Sequence, residues 1–256
     1  MRCAEPVLIL LAAMMSAFVV AQPIAAQTQQ SPAPYKAVAV TLPEPLKDPG
    51  FEAFRAELGK IAERKDRTAL ARLIVSKGFF WERENGNSAD PKKSAIANFA
   101  AAIGLDSPDD PDIGWDTIAI YAEDATVFNL PDRPGVVCGP ADPDFDEAEV
   151  EALFEATGTD ISDWVYPVKS GINLHAAPRP DAALVEKVGL TFIRVLAPEG
   201  TGDQADPVAA EFARIVLPSG KTGFVKITDV APLGVSQFCY VKEDGAWKIA
   251  GVIGGE

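Results

Sequence analysis

Gln237-Phe238-Cys239-Tyr240-Val241-Lys242-Glu243-Asp244-Gly245-Ala246-Trp247-Lys248-Ile249-Ala250-Gly251 alternates from its first residues. In an extended chain Phe238, Tyr240 and Lys242 share one face, and Cys239 and Val241 share the other. Asp244-Gly245 is a dipeptide suited to a two-residue hairpin turn, where positive φ is required. Trp247, Ile249 and Gly251 continue the return strand. A two-stranded hairpin is marginal on its own in water. This one must therefore add to a barrel or pack against the N-terminal part of the chain.

Cysteine usage bears on that choice. The chain has three cysteines, and Cys3 lies at the very start, before an apolar run. That leaves Cys138 and Cys239. A bridge between them would close a loop of about 100 residues, which loop-entropy arithmetic credits with roughly 4–5 kcal/mol. It would also tie the hairpin to the N-terminal region. The other reading is two small buried thiols. The wide spacing matches neither a zinc site nor a redox dipeptide motif.

The start of the chain reads as an export signal. Arg2 is followed by an apolar run from Val7 to Val20, broken by Ser16, and then by small residues from Ala21 to Ala26. The run is shorter than the roughly 20 residues a spanning helix needs. Residues 1–26 are thus expected to be a signal peptide, with an uncleaved anchor as the rival reading. No later run is long enough to cross a bilayer. The expected location is a periplasm or the exterior. Acidic residues outnumber basic ones 37 to 23, for a formal charge of -14. That balance repels nucleic acids and anionic membrane faces at long range.

Residues 27–35 read as a polar, disordered leader. Beyond the Pro-rich stretch at Pro43, Pro45 and Pro49, helical periodicity sets in. Phe51, Phe54, Leu58 and Ile61 fall on one helix face. Asp66 and Ser94 are candidate N-caps for two further helices, with Leu70, Leu73 and Ile74 on one and Ile96, Phe99 and Ile103 on the other. A short helix followed by an extended piece is expected over Trp115–Phe128, and another helix over Asp146–Ala156 ended by Gly158. These elements predict a mainly helical domain over residues 36–163.

From Val165 the pattern changes to short strands punctuated by Gly and Pro turns, which indicates a small barrel or sandwich. Ile172, Leu174, Val185, Ile193, Val195, Ile215 and Val225 are its expected core. Ile172-Asn173-Leu174 with Pro178, Gly189-Leu190 with the strand to Leu196, and Gly220 to Val225 resemble the bacterial SH3 family over about residues 165–233. The resemblance implies an SH3-like β-barrel (164–233), followed by the hairpin (234–256). His175 stands where the family usually has Arg, and Phe224 and Phe212 stand at positions often given to Trp. These changes remove side chains that bind ligand in some relatives, so the resemblance implies the fold more than the ligand. The expected class is α+β: a mainly helical N-terminal domain, a small SH3-like barrel and a C-terminal hairpin.

The residues offer little catalytic chemistry. A single histidine, His175, is too few for a histidine-rich zinc hydrolase. Cys138 follows Val136-Val137 in a Gly/Pro loop, a poor setting for a nucleophile. No phosphate loop, dinucleotide fingerprint or calcium loop is present, so no cofactor and no metal is expected. Glu82 and Glu84, beside Phe80 and Trp81, are the best candidates for a carboxylate pair of the glycoside-hydrolase kind. Phe212, Lys221 and Phe224 are the candidate ligand contacts of the barrel. The leading expectation is a non-catalytic envelope protein whose barrel binds peptidoglycan or another envelope protein. A glycan-acting hydrolase and a purely structural role are the alternatives.

Overall fold

The computed structural model describes residues 33–83, 86–196 and 209–254. The expected signal segment (1–26), most of the leader and Glu84 lie outside them. In chain order the elements are α1 (Pro49–Arg64), α2 (Arg67–Arg72), β1 (Phe80–Arg83), β2 (Gly86–Asn87), α3 (Ala95–Ala102), α4 (Ile113–Glu123), β3 (Phe128–Asn129), β4 (Val137–Gly139) and α5 (Glu147–Thr157). There follow β5 (Trp164–Pro167), β6 (Ile172–His175), β7 (Leu184–Val188), β8 (Ile193–Val195), β9 (Phe212–Val216), β10 (Thr222–Lys226), β11 (Val230–Pro232), β12 (Gln237–Glu243) and β13 (Ala246–Ile253).

The helices start where their caps require. Asp48, Asp66, Ser94 and Asp146 each accept a backbone N–H from the first turn of α1, α2, α3 and α5. Gly158 closes α5 at φ 62°, a conformation that costs glycine no Cβ clash. The stripe Phe51, Phe54, Leu58 and Ile61 is buried. It faces a sheet, and that sheet overturns the mainly helical domain expected over 36–163.

The first sheet has six strands in the order β2-β1-β13-β12-β4-β3. Its central pair is the C-terminal hairpin. β13 runs parallel to β1, with Phe80 beside Gly251. β12 runs antiparallel to β4, with Cys239 opposite Cys138. The helical stripes are real, but the five helices among the described residues are short and those of the first half line one face of this sheet. The strands contributed by residues 80–139 have only two to four residues each. Such strands carry too few positions to show a period of two, and their partners lie far along the chain.

Alternation in β12 divides the sheet cleanly. Phe238 and Tyr240 enter the core formed with α1, α3 and α4, together with Ile249 and Val252. Cys239 enters the opposite cluster with Cys138, Phe80 and Ala250. Cys138 and Cys239 form a disulfide across the two strands, and both are fully buried. Phe80 lies over Gly251 so closely that a Cβ there would sit 2.6 Å from its ring carbons. Only glycine admits that contact without displacement.

The second sheet has seven strands in the order β11-β5-β8-β9-β10-β6-β7. It curls: Val188 of one edge strand and Val230 of the other pack into the same cluster, around Leu174, Ile193, Ile215 and Val225. Of the expected core, Val185 is the exception. Val188 and Glu186 stand opposite Ile172 and Leu174, so Val185, next to Glu186, faces out, 37% exposed. The N-terminal strap and α5 cover this sheet's outer face. Val38, Val40, Val150 and Leu153 pack there against Trp164, Tyr166 and Phe192. Tyr35 joins them, its hydroxyl donating to the carbonyl of Val216 at 2.8 Å.

Because the bridge spans 101 residues of sequence, replacing both cysteines (Cys138→Ala with Cys239→Ala) is expected to destabilise the protein by about 2–5 kcal/mol. Urea unfolding of the double variant beside the wild type measures this. An unchanged midpoint would show that the sheet alone holds the hairpin.

Candidate functional site

The outer face of β10 carries the most accessible aromatic candidate. Gly223 and Val225 lie on the inner side of the curled sheet, so Phe224 between them points out. His175 of β6 and Arg214 of β9 are its cross-strand neighbours. Gly223 lets these strands close up, since a Cβ there would lie 2.7 Å from the His175 carbonyl oxygen. The His175 ring sits edge-on to Phe212 at 6.1 Å, and its Nδ1 lies 3.2 Å from the carbonyl of Ala182.

The three barrel candidates are not brought together as one surface. Phe224 is half-exposed. Phe212 shares the sheet face of Phe224, two residues from Arg214 along β9, but it is buried at 7% with its ring against His175. Lys221 pairs with Glu186 at 2.7 Å. Glu186 stands opposite the core residue Leu174, on the other sheet face from Phe224. Both members of that ion pair are solvated, so it contributes little to stability.

The acidic candidates are also separated. Glu82 shares a face of β1 with Phe80, and Trp81 occupies the other face, against the helix-side core. Arg133 bonds the Glu82 carboxylate and lies 4.0 Å above the Phe80 ring. Arg83 covers Trp81 at 5.4 Å. The acid is thus neutralised by a fixed cation and turned away from the indole. Glu84 lies outside the described residues. Among the described residues no group of three His, Cys, Asp or Glu side chains is placed to hold a metal ion.

Two polar clusters went unread in the sequence. In the first, Asp48 caps α1 and reaches the closing hairpin as well. Its carboxylate accepts from the Phe51 N–H at 2.9 Å and the Trp247 indole at 3.2 Å, and it pairs with Lys242 at 2.7 Å. Lys242 also lies 5.0 Å from the Trp247 ring centre. Asp48-Pro49 is a recognisable helix start, but nothing local signals partners near residue 245. In the second, Tyr121 bonds the Ser236 carbonyl, and Gln237 donates to the Pro140 carbonyl at 2.9 Å and to Asp142 at 3.2 Å. These bonds fix the link between the two sheets. Desolvation there raises the Asp142 carboxyl and pushes the Tyr121 hydroxyl up to about 12.

No family model, no curated protein and no solved structure matches this chain.

The Lys242 ammonium, with the Phe51 and Trp247 donors, holds the Asp48 carboxyl down to about 2. Its folded pKa lies below the unfolded value of about 3.9. The linkage therefore stabilises the fold above pH 4 and is lost as pH falls through about 4 to 2. Asp48→Asn is expected to lower the urea midpoint at neutral pH, with the gap to wild type closing as pH drops to about 2. A gap independent of pH would show that the carboxylate charge plays no part.

Proposed function

We propose that this protein is an exported, non-catalytic component of the cell envelope whose curled sheet is an SH3-like docking module. The observation that carries the reading is the outward Phe224, flanked in register by His175 and Arg214. An aromatic set between polar side chains on a rigid antiparallel face is suited to binding a glycan or peptide segment, because stacking area comes with little entropy to lose. Peptidoglycan or another envelope protein is the partner class proposed.

The paired state of Glu82 favours this over a glycan hydrolase. A carboxylate in a fixed ion pair with Arg133, facing away from Trp81, is poorly placed as a general acid or base. A purely structural role is the second reading. It draws support from the packed seam of Val38, Val40, Trp164 and Phe192 and from the buried Cys138–Cys239 bridge.

The test is co-sedimentation of the mature chain with purified insoluble peptidoglycan, followed by analysis of released muropeptides. Retention without fragments, reduced in Phe224→Ala, is the expected result. Release of fragments would replace the docking reading with a hydrolase. No retention, together with no protein captured from envelope extracts, would leave the structural role.

A further inference from the structure

The surface of this chain is acidic overall, with 37 acidic residues to 23 basic. One concave region reverses that balance. Between the α2–β1 connection, β2 and the start of α3 lies a hollow of about 410 Å³. Lys77 and Lys93 line it over Phe79, and among the described residues Asp90 is the one carboxylate in its wall. It continues into a more open hollow of about 470 Å³ floored by Ile96 and rimmed by Arg72 and Lys248 against Glu243. Ser76, Ser94 and Ala95 belong to both hollows. Among the described residues the joined cleft thus has four cations against two carboxylates.

The lysines are unspent. Lys77, Lys93 and the adjacent Lys92 are exposed. Among the described residues none of them joins an ion pair, whereas Lys36, Lys65, Lys169, Lys221 and Lys242 each hold a carboxylate. The loop that presents Lys92 and Lys93 is preformed. Asn98, only 5% exposed, accepts the Asp90 N–H at 2.8 Å and donates to the Asp90 carbonyl at 3.0 Å. The Asp90 carboxylate takes the Lys92 N–H at 2.9 Å. Little ordering remains to be done when a ligand arrives.

We propose that this cleft docks a short acidic peptide segment of a partner protein. Carboxylates of the segment meet Lys77 and Lys93, and its apolar side chains lie over Phe79 and Ile96. A long polyanion fits less well. The net charge of -14 repels it at range, and the cleft is two adjoining hollows, not an extended basic track. The site is independent of the Phe224 face.

The test titrates a blocked Glu-Leu-Glu-Leu-Glu peptide into the isotope-labelled chain and follows amide shifts. A Lys-Leu-Lys-Leu-Lys peptide and inorganic phosphate serve as the other arms. The acidic peptide is expected to move amides of residues 71–79 and 87–98, and the lysine peptide to leave them in place. Lys77→Glu with Lys93→Glu is expected to weaken the acidic peptide about tenfold or more, with Lys77→Gln and Lys93→Gln intermediate. Both variants should keep the wild-type circular dichroism, since the side chains are exposed. Shifts elsewhere, no shifts, or undiminished binding by the Glu variant would overturn the proposal. Phosphate reproducing the same shifts at the same concentration would also overturn it, by assigning the cleft to a free oxyanion.

Discussion

Insertion of the C-terminal hairpin between β1 and β4 is the constraint on which the rest of the molecule depends. β13 pairs with β1 on one side and β12 with β4 on the other. Without the hairpin, β1–β2 and β3–β4 would be two isolated ribbons with no shared sheet, and the stripes of α1 and α3 would lose the floor formed by Phe238, Tyr240, Ile249 and Val252. The chain secures this junction three times. Backbone pairing supplies the frame, the Cys138–Cys239 bridge locks one flank, and Asp48 joins the start of α1 to Lys242 and Trp247 at the hairpin's tip.

This arrangement also explains the position of the second sheet. Residues 164–232 leave the first sheet after α5 and return to it at β12, so the curled sheet is an excursion from a unit that closes only at its end. The return is held by Tyr121 and Gln237. The outer face of the curled sheet is covered by the strap at Val38 and Val40. What remains open on it is the side bearing Phe224 and His175. The cleft beside Lys77 and Lys93 belongs instead to the helix-bearing sheet. The two surfaces are thus built by different parts of the chain, and each can be tested without disturbing the other.

Much of the local structure was legible. Caps at Asp66 and Ser94, the stop at Gly158, the stripe from Phe51 to Ile61 and the hairpin turn at Asp244-Gly245 all follow from short-range rules, because capping and periodicity act within a few residues. The sheet partners were not legible. Phe80 and Gly251 touch across most of the chain, and β1 has four residues in which to announce itself. The same distance hid Asp48's second role. At the candidate sites, Cys138 and Cys239 could be paired because no other cysteine follows the N-terminal segment. Strict strand alternation would have separated Glu82 from Trp81. The burial of Phe212 depends on the packing of β9 against His175, which no local pattern encodes.

Native-state hydrogen exchange on the intact chain tests the central claim most directly. If the hairpin is the keystone of the first sheet, amides of β12 and β13 exchange only through global unfolding, with the same opening free energy as those of α1 and β1. The contrary result is a hairpin that exchanges through a local opening while α1 and α4 stay protected. That would show a helical unit folding on its own, with the hairpin merely laid against it.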